Sequence, residues 1–380
     1  MSGSPEHNRL PIVDIDVHPM YHDFGDLVPY LSSNWRQRFE TRGLRTYARA
    51  RDRYNHPEYT QRADATPPGG GHAGSSREYT IENHLAPNGI DGAVLLPQQP
   101  YGVTVWGDSA AATAYVAATN DFFRDEWVGF DDRYCLAVTV APHDAHAAAA
   151  EIRRHAGQPG VVGVQLLLLD RMLGDKWFDP IYEAACEADL PIVVHQSGSE
   201  GCYTYSPTVA GGAPRSYGER HVVLTQVGAS NVCDLVVGGA FERFPTLKVS
   251  FVEWGFSWLA PLTARLDHVW ERDPDGAPQV KRRPSDYVRK HMSFATQPLD
   301  EPDTAVEWSA LFAADGLEKM LLFASDYPHY DTDDTTYILK ARIPKDLRAR
   351  ISYQNAVAVF GDEVLRSVRS PGHDGGRAAA

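Results

Sequence analysis

Cysteine is scarce: Cys135, Cys186, Cys202 and Cys233 are the only four in 380 residues, and no two form a CxxC pair. So few cannot staple a chain of this length or build a thiolate cage for zinc, which predicts a reducing compartment. Long apolar runs are missing as well, and no uninterrupted stretch approaches the roughly 18 residues of a membrane span. Basic residues are outnumbered, with 36 Lys plus Arg against 50 Asp plus Glu for a formal charge of −14. Without a basic run, nucleic acid and anionic membrane surfaces are excluded as natural partners. The opening segment, MSGSPEHNRLPIVDIDVH, lacks a basic stretch leading into an apolar one and so predicts a cytoplasmic chain. There is no internal repeat. No GxGxxG follows the first apolar run either, which argues against a dinucleotide-binding oxidoreductase.

What remains is the composition of a globular protein, 43% hydrophobic and 11% aromatic, with short β-branched runs alternating with helical patterns along its length. The runs predict eight strands: Ile12–His18, Ala93–Pro97, Tyr134–Pro142, Val161–Leu169, Pro191–His195, Leu247–Glu253, Met292–Thr296 and Met320–Asp326. Helices are expected over Ala110–Phe123, Ala145–Arg154, Pro180–Ala188, Leu224–Glu242, Leu259–Glu271, Ala305–Phe312 and Pro344–Phe360. Eight βα units favour a (β/α)8 TIM barrel over a doubly wound sheet. One domain over residues 1–368 is expected, with a disordered tail at 369–380. An insertion over about 20–90 follows the first strand. Within it, Asn34–Glu40 reads as a short helix and Thr66–Ser76, rich in Pro and Gly, as a mobile loop. A second long loop is expected after Cys202.

Function in a barrel gathers at the C-terminal ends of the strands, so polar residues ending apolar strands are the informative ones. Strand one ends Asp14-Ile15-Asp16-Val17-His18, and strict alternation sends Asp14, Asp16 and His18 to one face. Strand five ends at His195, strand six at Glu253 and strand eight at Asp326. A lone Asp-x-His usually marks a strand-end hydrogen bond. Four such termini converging in one barrel interior are costly unless something binds them. Asp16, His18, His195 and Asp326 make a mixed nitrogen and oxygen set that suits one divalent ion, zinc first, with manganese or iron as alternatives. Asp14 or Glu253 could add a ligand or orient a histidine. Gln98, Tyr101, Trp106, Gln165, Gln196, Trp254 and Trp258 lie near strand ends as candidate walls for a planar organic substrate, although each tryptophan taken alone reads better as barrel packing. His221 either reaches substrate or caps a helix, and His72 and His84 read as exposed or lid residues. A non-catalytic metal-containing barrel that acts as a binding protein is the competing interpretation.

These motifs resemble the metal-dependent amidohydrolase superfamily, in particular its branch with aminocarboxymuconate semialdehyde decarboxylase and related aromatic acid decarboxylases. The marks are Asp14 to His18, Pro191 to His195, Phe241-Glu242-Arg243-Phe244-Pro245, Ser325-Asp326-Tyr327-Pro328-His329, and Asn355-Ala356 before Phe360-Gly361. The resemblance, from about Pro11 to Gly361, implies a single divalent metal held by Asp16, His18, His195 and Asp326, with Asp326, Glu253 and His329 as catalytic candidates. Its frequent His-x-His is here Asp16-x-His18, and its strand-six histidine is here Glu253. A glutamate moves protons but cannot donate one as a cation. Two reactions on a small cyclic or aromatic carboxylate fit. In hydrolysis, Asp326 takes a proton from a water that attacks a carbonyl. In decarboxylation, a protein acid protonates the ring carbon before carbon dioxide leaves. The expected partners are a small-molecule substrate and further copies of the chain.

Overall fold

A computed structural model describes residues 9–42, 61–196, 216–299, 314–335 and 345–369. The expected helix at Ala305–Phe312, the loop after Cys202 and the tail from 370 lie outside these residues. Eight strands form one sheet in chain order: β1 (Val13–Val17), β2 (Gly92–Leu95), β3 (Tyr134–Val140), β4 (Val161–Leu166), β5 (Ile192–His195), β6 (Val249–Val252), β7 (Met292–Ala295) and β8 (Leu321–Leu322). Every neighbouring pair is parallel. Backbone bonds from Ile15 N–H to Phe323 O at 3.1 Å and from His18 N–H to Tyr327 O at 2.8 Å join the last strand to the first and close the barrel. This is the (β/α)8 barrel that the alternating pattern predicts.

The strands are buried on both faces, and alternation divides their residues between two layers. Leu136 and Val138 of β3, Ile192 and Val194 of β5, and Phe251 of β6 pack outward against the helices. Cys135, Ala137, Val193, Val252, Ala295 and Ala324 face inward. Ala356, Phe360, Val364 and Leu365, from the closing helical segment, plug the N-terminal end of this inner layer. The plug approaches β2 so closely that a Cβ on Gly92 would run into the Val364 carbonyl. Only a residue without a side chain fits there.

Around the barrel run α1 (Ser33–Arg42), α2 (Arg77–Thr80, continuing through a π-turn at Ile81–Leu85 into Ala86–Asn88), α3 (Ser109–Phe123), α4 (Ala145–His155), α5 (Asp179–Glu187), α6 (Tyr217–Val237), α7 (Ala240–Arg243), α8 (Leu259–Arg272) and α9 (Pro284–His291). The sequence pattern joined α6 and α7 into one helix. The structure breaks them at Gly238-Gly239, where Gly239 takes φ +71°, a left-handed conformation that ends a helix. Within Thr66–Ser76 the Gly74 carbonyl accepts Met20 N–H at 2.9 Å and Ala73 is buried, so that end of the segment is packed onto the turn after β1, while Pro68 to Gly71 are exposed. Among the described residues, Cys135, Cys186 and Cys233 are free thiols and no helix is long and apolar enough to cross a membrane.

Candidate metal centre

The local backbone of β1 decides which of its acids enters the barrel. Its pairing with β2 is irregular between Asp14 and Val17, as at a β-bulge, so the strict alternation expected for Asp14, Asp16 and His18 fails. Val13 and Ile15 belong to the inner layer and Val17 to the outer one. Asp16 and His18 enter the barrel mouth. Asp14 is turned the other way, towards His84 of α2, with Asp14 Oδ2 3.0 Å from His84 Nε2. His84 is therefore neither exposed nor part of a lid; it is 2% exposed and sits behind the site.

Asp16, His18, His195 and Asp326 place their donor atoms within 4.8 Å of one another, a spread that one ion can draw together. His18 Nε2 lies 3.1 Å from Asp16 Oδ1 and 3.0 Å from Asp326 Oδ1, and His195 Nε2 lies 3.7 Å from Asp16 Oδ1. Both imidazoles are oriented through the other nitrogen: His18 Nδ1 donates to Leu96 O at 2.8 Å, and His195 Nδ1 donates to Gln196 O. Each Nε2 is thereby left as a lone pair facing the cluster, the tautomer a metal needs. Both carboxylate oxygens of Asp16 and His195 Nε2 are buried without a hydrogen bond. Buried polar atoms are almost always satisfied, and a cation is the partner that suits all three at once. The residues present fit a divalent metal.

The electrostatics of the chain alone follow from this crowding. Burial opposes ionisation of Asp16, but the charges of His18 and His195 overcome it and hold the carboxyl below the usual range. Burial likewise opposes protonation of His18, yet Asp16 and Asp326 push its pKa well up. Asp326 is lowered against its burial by His329 and His18.

A second ring of side chains surrounds the quartet. Glu253, at the end of β6 with φ +65°, sets Oε2 3.2 Å from His195 Nε2 and accepts from Gln196 Nε2 at 2.7 Å. His329 Nδ1 is 2.5 Å from Asp326 Oδ1, and its Nε2 is 2.7 Å from the Gln98 amide nitrogen. His221, 20% exposed, lies 4.0 Å from Glu253 Oε1 and 3.4 Å from Asp331 Oδ2. The Tyr101 ring lies 5.5 Å from that of His195, and its hydroxyl accepts from Gln165 Nε2 at 2.8 Å.

One expected wall is elsewhere. Trp254 is sealed in the core, its indole N–H bonded to Val194 O at 2.9 Å, and Gly228 presses on the ring. Trp106 packs at 5.4 Å on Tyr115. Trp258 packs with Trp254, donating to Trp254 O and meeting Phe294 edge-on. Gln297 and Asp331 escaped the sequence reading. Gln297 Nε2 reaches Asp326 Oδ2 at 3.3 Å and Asp331 Oδ2 at 3.4 Å. The signal for Gln297 was the one used elsewhere, a polar residue following an apolar strand. Asp331 lies in the loop five residues past Asp326 and gave none.

Known proteins resemble this chain in sequence or fold. A decarboxylase, OrsB of Emericella nidulans, is 28% identical over 173 residues, which are 42% of this chain and 49% of that protein. The matched stretch thus spans about half the length of the curated relative. The solved structure of 5-carboxyvanillate decarboxylase LigW from Sphingomonas paucimobilis superposes with a TM-score of 0.66 at 20% identity, covering 93% of this chain and 99% of that one. A dihydroxybenzoic acid decarboxylase from Polaromonas sp. JS666, solved with manganese and 2-nitroresorcinol, gives 0.64 at 17% identity, covering 93% and 97%. At these identities the superpositions show a shared fold. The sequence match is broader: running from the first residue of β1 to Gly361 within the plug, residues 13–361, it places the chain in the amidohydrolase family.

Proposed function

We propose that the protein is a metal-dependent carboxy-lyase that removes carbon dioxide from a small hydroxylated aromatic carboxylate. The observation that carries this is the buried quartet of Asp16, His18, His195 and Asp326, with three unsatisfied atoms aimed at one point and two proton-carrying groups, Glu253 and His329, at its edge. A divalent ion held there supplies a Lewis acid for the substrate's oxygens. Zinc suits the donor set, and so does manganese, the ion named for the Polaromonas decarboxylase. A protein group then gives a proton to the ring carbon bearing the carboxylate. The bond to the carboxylate breaks, its electron pair restores the ring, and carbon dioxide leaves. Glu253 stands on the side of His195 and is assigned that proton. Gln98, Gln196, His221 and Tyr101 are assigned to substrate contact. Trp254, sealed in the core, drops out of that set.

Hydrolysis is the second reading, favoured by the Asp326 and His329 pair, which can take and pass on a proton from water. Incubating purified protein, loaded with Mn2+ or Zn2+, with a panel of hydroxybenzoates and cyclic amides separates the two. Carbon dioxide release with ring-proton gain supports decarboxylation. Amide cleavage alone supports hydrolysis. Metal uptake with neither reaction across the panel returns the binding-protein reading.

A further inference from the structure

Behind the quartet lies a second buried constellation with no place in either reaction. Asp14, His84 and Ser325 are each 2% exposed or less. Asp14 Oδ1 accepts two backbone N–H groups, that of Asp16 at 3.1 Å and that of Ser325 at 3.0 Å. Its Oδ2 faces His84 Nε2 at 3.0 Å, and the same nitrogen lies 3.0 Å from Ser325 Oγ. Ser325 Oγ in turn accepts the N–H of Tyr327 at 3.1 Å. The His84 ring stacks on Tyr327 at 4.3 Å, nearly parallel.

A serine, a histidine and an aspartate in contact invite a nucleophilic reading, and the geometry refuses it. His84 Nδ1 takes the Asn88 amide at 3.4 Å, which puts the ring's proton on Nε2. That proton is shared between Asp14 and Ser325, so the imidazole has no lone pair with which to activate the hydroxyl. Ser325 is also wholly buried. What the constellation does hold is backbone. The amides it fixes belong to Asp16 and to the residues on either side of Asp326. The Asp326 N–H itself donates to Asp16 O at 3.1 Å, and Asp326 sits at φ +63°, where an L-residue stays only if its surroundings hold it.

We propose that Asp14, His84 and Ser325 form a clamp, reaching from α2 through the irregular part of β1 to the end of β8, that positions the Asp16 and Asp326 carboxylates and so sets the site's affinity for its ion. The proposal rests on the metal-centre reading. Two buried carboxylates brought within a few ångströms of one point repel each other, and a rigid backbone keeps them at the separation a shared cation requires.

The test uses the full-length apoprotein and Mn2+, with affinity measured by chelator competition and the bound ion observed by electron paramagnetic resonance. His84→Phe keeps a ring against Tyr327 and removes the N–H. Its Mn2+ affinity should fall by about ten-fold or more, with an altered resonance and a far-ultraviolet spectrum like that of the wild type. His84→Gln, whose amide can still donate to Asp14, should recover most of the affinity. Wild-type affinity and resonance in His84→Phe overturn the proposal, as does an equal loss in both variants, which would make the effect one of shape. If His84→Phe does not fold, Ser325→Ala decides, since it removes one hydroxyl: weakened Mn2+ binding supports the clamp and unchanged binding overturns it. A wild-type protein that takes up neither Mn2+ nor Zn2+ brings down the metal-centre reading itself, and the clamp with it.

Discussion

Glu253 Oε2 lies 3.2 Å from His195 Nε2, the imidazole nitrogen that faces the other proposed ligands. The two residues end neighbouring strands, with His195 paired in register to Val252, so the contact is fixed by the barrel and not by a mobile loop. A carboxylate here can act on substrate, on the ion, or on both.

Glu253→Gln distinguishes these roles, because it keeps the size and the bond from Gln196 but removes the titratable oxygen. Metal content should survive while turnover on the best hydroxybenzoate falls about 100-fold or more. Elemental analysis and steady-state kinetics on the same sample check it. Lost metal would make Glu253 a ligand, and unchanged turnover would take it out of the mechanism.

For the quartet, the expectation is close to one divalent ion per chain in protein never exposed to chelator. His195→Ala and Asp326→Ala should each lose most of it, since a missing ligand leaves the coordination incomplete. Full occupancy in both variants would show that the ion is held elsewhere.

How much of this could be read from the sequence depends on the backbone at each residue. His195 was legible because β5 alternates regularly: Ile192 and Val194 face the helices, which leaves Val193 and His195 to face the interior. Asp14 was misplaced because one irregularity in β1 reverses its face, and a period-two pattern carries no sign of it. His84 was misread because a histidine in a long insertion looks like surface until α2 is seen packed behind β1 and β8. Trp254 shows the same limit, since following a strand end does not reveal that its ring turns back under β5 to reach Val194.

Tyr101 is expected to donate a hydrogen bond to substrate. Its hydroxyl accepts from Gln165 Nε2 at 2.8 Å, and Gln165 Oε1 is held by the Thr139 hydroxyl at 2.7 Å, so the phenolic proton points away from this chain of donors. Burial, reinforced by the charges of Asp16 and Glu253, pushes the phenol's pKa well above its ordinary value and keeps it protonated. Tyr101→Phe should lower kcat/KM by about ten-fold through loss of one hydrogen bond, with metal content unchanged. Equal kinetics in the two proteins would return Tyr101 to a packing role.

The final expectation concerns stability far from the site. On α4, Glu151 accepts from Asn120 Nδ2 at 2.8 Å, from Arg154 Nη2 at 2.7 Å and from Arg154 Nε at 2.8 Å, with His155 Nε2 at 3.2 Å. Burial works against the charge, but these partners outweigh it and lower the pKa from 4.5 to about 2. A carboxyl whose pKa is depressed in the folded state stabilises the fold above its unfolded value and loses that contribution as pH falls through the folded one. The contribution at pH 7 is at most about 3 kcal/mol, present in full above the 4.5 of the free side chain and fading towards pH 2. Glu151→Gln mimics the protonated form. Urea unfolding should show the variant less stable at pH 7, with the gap narrowing by more than about 1 kcal/mol by pH 3.5. A gap that stays constant over that range would mean that the loss comes from altered packing around Asn120 and not from the charge of Glu151.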